Sequence, residues 1–366
     1  MPVPAECPVA HIRRDLLRAT AALALLLAAG CTAGGAEGSG PPAAAVRPAP
    51  PPGFSADTFT REGLASGASA VEAGCRAMMD GLWVSANDGR HECLRYVLAG
   101  TGPGPALVHI PGDAVGMAYR FAGGRPWIEA AGEGYPVSAS ARRTAAAALS
   151  RAMGGMPVVL LGRPGMHGSS GNHARDRHTR AEVELVDAAL TELRRRHGFR
   201  DFVLSGFSSG GVIVANLLAR RGDIRCAVLA SAPLDLAAFY RGWDGTLPDH
   251  YLMRRRDLAD PMRSVHAIRP GAIIVVLGDR RDRKVPASAW EAWVAAARHA
   301  GLRVLAAEAS GLDPAEPGSM PSYHHTALHG LRAAQACATG EPAVAPPGQG
   351  AEDGAALAGR LLRAVE

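Results

Sequence analysis

The sequence predicts an α/β fold: a mainly parallel central sheet with helices on both faces. Three observations carry that expectation. Short runs that are apolar at nearly every position recur along the chain, and a strand reads this way when both its faces are buried. Segments with apolar residues at helical spacing lie between them. At one junction, "DFVLSGFSSGGVIV" at residues 201–214, glycines flank Ser208 where an apolar run gives way to a helical one.

The elements follow in chain order. Leu82-Trp83-Val84 and residues 94–98 flank the turn-rich "ANDGRHE" and predict an antiparallel pair. Residues 106–110 form a third strand, stopped by Pro111-Gly112, and residues 157–161 a fourth. In residues 180–198, Val183, Leu185, Val186, Ala189, Leu190 and Leu193 make one helical face, and Gly198 ends it. Strand 202–204 comes next. A helix over 212–221 follows, closed by Arg220, Arg221 and Gly222. Residues 227–230, 272–277 and 302–305 complete the strands. Between two of these lie residues 234–268, with Phe239, Tyr240, Trp243 and Tyr251, which form either a small cap over the site or a packed surface insertion.

Outside this domain the composition changes. Arg13, Arg14 and Arg18 precede an Ala/Leu run at residues 19–30 that is too short to span a bilayer. The run ends in "LLLAAGC", which resembles the lipobox of bacterial lipoproteins, with Ala28 where Leu is usual. That resemblance implies a signal peptide over residues 1–31, lipid on Cys31 after cleavage, export and attachment to the cell-envelope membrane; a plain secretory signal cut nearby is the alternative. Residues 32–53 are rich in Gly, Pro and Ala and read as a flexible tether. The folded domain is therefore expected over residues 54–337, and residues 338–366 read as a tail with a short helix. The other four cysteines, Cys75, Cys93, Cys226 and Cys337, suit two disulfides with three possible connectivities.

Charge excludes one class of partner. The net charge of +5 is spread as Arg pairs, and only 5% of residues are aromatic, so no basic stripe with stacking rings offers a nucleic-acid surface. His167, His173, Asp176 and His178 fall close together, but their spacing matches no metal-ligand motif; a polar loop near the mouth of the site is expected there, with no metal and no cofactor. Oligomeric state is not legible.

The chemistry centres on Gly206-x-Ser208-x-Gly210, the form of a nucleophile elbow. Such a turn crowds the residues two before and two after the serine, and glycine has no Cβ to clash. A serine nucleophile needs a base and an orienting acid. Asp279 and Asp282 lie at the carboxyl end of strand 272–277, where sites collect in α/β folds. His324, His325 and His329 precede or enter a last helix.

Elbow, acid loop and final histidine, with "GRPGMHGSSG" at residues 162–171, together resemble the α/β-hydrolase superfamily. Residues 260–286 are similar to the corresponding part of prolyl-oligopeptidase-like and dienelactone-hydrolase-like members, and the resemblance spans about residues 80–336. It implies an α/β-hydrolase fold and a triad of Ser208, Asp282 and His325, because "DRKVP" is similar to the family's acid loop. Asp279 and His324 are the alternatives. Two backbone N–H groups, of Ser209 and Asp113, are expected to form the oxyanion hole. The implied activity is hydrolysis of an ester substrate. A peptidase acting on short peptides, or an inactive scaffold used for binding, are the other readings.

Overall fold

Ten strands and the helices between them organise the chain in the computed structural model, which describes residues 59–113, 118–122, 125–130, 138–242, 248–308 and 327–339. The strands are β1 (Gly81–Ser85), β2 (His91–Ala99), β3 (Ala106–Ile110), β4 (Ala118–Ala122), β5 (Arg125–Ala130), β6 (Val158–Leu161), β7 (Phe202–Phe207), β8 (Ile224–Ala230), β9 (Ile273–Gly278) and β10 (Val304–Glu308). Eight of them form one sheet in the order β1-β2-β6-β3-β7-β8-β9-β10. β2 runs antiparallel to β1 and to β6, and every other pairing in this sheet is parallel. β4 and β5 make a separate antiparallel hairpin, an element that the sequence reading did not anticipate.

The parallel strands are apolar because both faces are covered. On one face Val108, Ile110, Val159, Leu161 and Leu204 pack against Val186 and Leu190 of the helix Arg180–His197, Ile213 of Ser209–Leu218, and Trp293 of Ser288–His299. On the other, Leu107, Val158, Leu160 and Val203 pack against Ala145 and Leu149 of Ala139–Ala152 and Leu331 of Ala327–Thr339. Side chains alternate across a strand, so successive residues of one apolar run feed two separate cores.

Helix Arg180–His197 is bounded as its sequence foretells. The Thr179 side chain accepts from the Glu182 N–H at the start, and Gly198 takes a left-handed conformation (φ 72°) at the end. The helix after Ser208 is a correction: it runs from Ser209 to Leu218 and is capped at Ala219, not at Gly222. Strand β10 begins two residues later than expected. The last helix runs from Ala327 to Thr339. Residues 1–58, with Cys31 and the tether, lie outside the described residues, as do Trp243, His324, His325 and residues 340–366. Among the described residues, no helix is long and apolar enough to cross a membrane.

The sheet order places the site. From β3 the chain moves outward to β6, then crosses back to β7 on β3's other side. Ligands bind at such a switch point, outside the carboxyl ends of the strands. Ile110 at the end of β3 pairs with Gly206 near the end of β7, so the loop at 111–113 runs beside Ser208.

Candidate active site

Ser208 occupies the turn between β7 and the helix Ser209–Leu218 with φ 50° and ψ −123°. A positive φ is unfavourable for a residue with a Cβ, and it persists only where surrounding structure enforces it. Here the enforcement is steric. A Cβ on Gly206 would lie 2.7 Å from the Gly210 carbonyl oxygen, and one on Gly210 only 2.2 Å from the Ile110 carbonyl oxygen. The Ser208 N–H also donates to the Ala230 carbonyl at 2.8 Å, which ties the turn to β8.

The loop after β3 closes against this turn. A Cβ on Gly112 would meet the Ser208 Cβ at 3.0 Å, so glycine lets the loop lie on the serine. Asp113 follows. Its carboxylate is gripped from four directions: Arg163 at 3.0 Å, His173 Nε2 at 3.2 Å, Arg177 Nε at 2.5 Å, and the Ser209 hydroxyl at 3.0 Å. Burial alone would push this carboxyl up, but Arg177, the His173 hydrogen bond and Arg163 outweigh it and hold Asp113 well below the usual carboxylate range.

Behind this pair lies a buried polar layer. Arg163, fully buried, donates through Nε to Glu182 at 2.9 Å. Glu182 in turn accepts the His178 N–H at 2.8 Å. His178 Nε2 sits 2.9 Å from the Ser209 hydroxyl, and Tyr240 OH stands 3.5 Å from its Nδ1 and 3.2 Å from Arg177. Burial, followed by the Arg177 charge, holds the His178 ring well below its ordinary pKa, so it is neutral near pH 7. His173 is lowered as well, first by burial and then by Arg163. Each member of this layer thus has a charge or hydrogen-bond partner, as buried polar groups require.

This layer corrects the expected polar loop at the pocket mouth. His173, Asp176 and His178 are fully buried, and Asp176 is bound by Arg90 and Arg175. The sequence reading named Tyr240 within the insertion but missed Arg163, Arg177 and Glu182, which line the same layer. One signal for Arg163 was present: a charged residue directly follows the apolar run of β6 and a single glycine, at the carboxyl end of a central strand. The described residues of this insertion include the short helices Leu236–Arg241, Asp249–Arg254 and Pro261–Ser264 and the 3₁₀ turn Val265–Ala267. Tyr240, Phe239 and Tyr251 pack there ring to ring, at 5.1 Å for both neighbouring pairs, and Phe239 and Tyr240 set their edges near His178.

On the other side of Ser208, β9 ends at Gly278 and delivers the two candidate acids. Asp279 accepts from the Arg281 backbone N–H at 2.9 Å and takes its guanidinium on both carboxylate oxygens, at 3.0 and 2.8 Å. Asp282 is buried, and its Oδ1 accepts the backbone N–H groups of Lys284 at 2.7 Å and Val285 at 3.0 Å. His329 lies in the last helix. The cysteines pair as Cys75–Cys93 and Cys226–Cys337, the second joining β8 to that last helix.

Residues 133–312 match the family model described as the alpha/beta hydrolase fold. A comparison with curated proteins gave no match. Similar solved structures include an esterase of Pyrococcus furiosus, 14% identical with a TM-score of 0.42 over 63% of this chain and 82% of that one. An acylaminoacyl peptidase of Pyrococcus horikoshii is 12% identical, TM-score 0.45, over 69% of this chain and 39% of its own. A puromycin hydrolase is 19% identical, TM-score 0.44, over 70% and 38%.

Proposed function

The chain has the α/β-hydrolase fold, and on it we propose a serine hydrolase that cleaves an ester through an acyl-enzyme. Ser208 attacks the carbonyl carbon. His325 takes the hydroxyl proton and later gives it to the leaving group, and Asp282 orients the imidazole. Water then attacks the acyl-enzyme with His325 as base. The backbone N–H groups of Ser209 and Asp113 receive the charge that develops on the carbonyl oxygen. The observation that carries this reading is the strained Ser208 turn, at φ 50°, on a strand-to-helix junction with no room for side chains at Gly206 and Gly210. That is the geometry of an elbow that holds a nucleophile clear of its sheet.

Two further features support parts of the reading. Asp279 is ion-paired with Arg281, whereas Asp282 is held by main-chain N–H groups, a mount that fixes the aim of its carboxylate. Export to an oxidising compartment, with a lipid on Cys31 anchoring the domain to the envelope membrane, agrees with two disulfides in a domain that follows an Arg-flanked apolar leader.

A fluorophosphonate probe tests the mechanism. It should label the chain once, at Ser208, and Ser208→Ala should abolish labelling while ester turnover falls by about 10⁴- to 10⁶-fold. A folded wild-type protein that resists the probe at neutral pH overturns the hydrolase reading and leaves the binding scaffold in its place. Chromogenic esters and aminoacyl amides of graded length, assayed side by side, separate esterase from peptidase.

A further inference from the structure

The two groups assigned to the oxyanion hole belong to residues whose side chains touch each other. The Ser209 hydroxyl donates to Asp113 Oδ2 at 3.0 Å. Nothing in the elbow geometry requires this: the residue after the nucleophile contributes to the hole through its main chain, and so does the residue after Gly112.

The direction of the chain of hydrogen bonds follows from its members. Asp113 is an ionised carboxylate and can only accept. The Ser209 proton therefore points at Asp113, and the Ser209 oxygen is left to accept. His178 Nε2, 2.9 Å away, must carry the proton and donate to it. His178 Nδ1 is then the acceptor, facing the Tyr240 hydroxyl at 3.5 Å. Arg177 donates to both ends, to Asp113 Oδ2 through Nε and to the Tyr240 oxygen. His178 is itself held at φ 62°, so its ring is presented from a constrained backbone. Ser209, His178 and Arg163 are fully buried, which keeps bulk solvent from competing for these bonds.

We propose that the Ser209–Asp113 side-chain bridge, backed by His178 and Arg177, is a positioning device that sets the separation and aim of the two oxyanion N–H donors. It rests on the hydrolase reading above. The loop after β3 is joined to the helix start in two ways. Backbone packs on backbone where Gly210 meets Ile110 and Pro111, and the side-chain bridge closes one residue further out. Packing brings the segments together; the bridge fixes their rotation, which decides whether both N–H vectors converge on one oxygen. Donors preorganised in this way stabilise the transition state more than the ground state, so the bridge should act on kcat and leave KM nearly alone.

Ser209→Ala removes the bridge at the cost of one hydroxyl. In the full-length chain, with a p-nitrophenyl ester, kcat should fall about 10- to 100-fold while KM stays within about two-fold. The rate of fluorophosphonate labelling at Ser208 should fall in parallel, because that reaction also develops charge on an oxygen in the hole. Ser209→Thr keeps the hydroxyl and should recover most of kcat, which a purely structural role of the position would not predict. Asp113→Asn keeps an acceptor but loses the charge that Arg177 grips, and it should show the same kcat-selective loss to a smaller extent. Unchanged kcat in Ser209→Ala, or a loss confined to KM, overturns the proposal while leaving the hydrolase reading intact. Wild-type protein that neither turns over esters nor labels overturns the hydrolase reading first.

Discussion

Asp113 and Asp282 are both carboxylates just beyond the carboxyl end of a parallel strand, and those strands, β3 and β9, lie on opposite sides of β7, the strand that leads into Ser208. Their surroundings differ. Asp113 is saturated by two guanidinium groups, an imidazole and a hydroxyl. Asp282 is held at one oxygen by two main-chain N–H groups of its own loop. A carboxylate whose lone pairs are filled by fixed cations is a structural fastener. Under the proposed mechanism one mounted on main chain orients the catalytic histidine, so the same residue type at two strand ends of one sheet serves position on one side and chemistry on the other.

The largest expected contrast is kinetic. Asp282→Asn should lower turnover about 10⁴-fold, in proportion to what losing a triad acid costs, and leave the thermal midpoint close to wild type. Asp279→Asn should keep most of the activity. The opposite ranking in steady-state assays would exchange the roles of the two acids.

Stability should respond in the reverse order. Asp113→Ala strips a partner from the fully buried Arg163 and should cost about 3–5 kcal/mol in a denaturant titration. Glu182 still pairs with Arg163 at 2.7 Å, so the lower part of that range is expected. An Asp113→Ala chain that is as stable as Asp282→Asn would break the contrast.

Acid should act first on the buried, histidine-rich side. His109, on β3, has its pKa lowered to about 4 by burial and by Arg142, and His167, His173 and His178 are also lowered, burial being the main cause for each. A histidine depressed in the folded state is neutral in both states above about pH 6.5, so its contribution is fully present there. Below that value only the unfolded chain takes up the proton, and stability is lost as pH falls toward the folded pKa. For His109 the window runs from about 6.5 to about 4 and is worth about 3 kcal/mol. Asp113 adds to the loss only at lower pH, because its folded pKa lies well below 3.8. A wild-type unfolding midpoint that stays flat between pH 6.5 and 4.5, or a fall that is undiminished in His109→Gln, would contradict this order.

The smallest effect separates the two disulfides. Cys226–Cys337 closes a loop of sequence separation 111 and secures the last helix to β8, whereas Cys75–Cys93 closes one of 18 at the sheet edge. Removing the first pair should destabilise the chain by about 1.6 kcal/mol more than removing the second, by loop-closure entropy. The first pair should also lower activity more, since its helix follows the histidine loop. Equal losses in paired alanine variants would remove that distinction.

Much of the site was legible as local pattern. Apolar runs marked the strands because burial on both faces leaves few polar positions, and Gly206, Ser208 and Gly210 marked the turn because its geometry tolerates little else. The hairpin β4–β5 was missed because "AYRFA" and "RPWIEA" alternate weakly and carry Arg and Glu. The helix after Ser208 was started late because its first residues are serine and glycine, poor helix formers that the turn makes obligatory.

What the sequence by itself determined, then, is the class of fold and the serine turn, since each follows from contacts between residues near one another in the chain. The tertiary structure alone decided which cysteines pair, and that Asp113 meets Ser209, Arg163 and Arg177 across 96, 50 and 64 positions. Such contacts leave no periodicity to read. They arise because the sheet's strand order sets the ends of β3, β6 and β7 side by side, and a buried charge then has to find its partner wherever the fold has brought one.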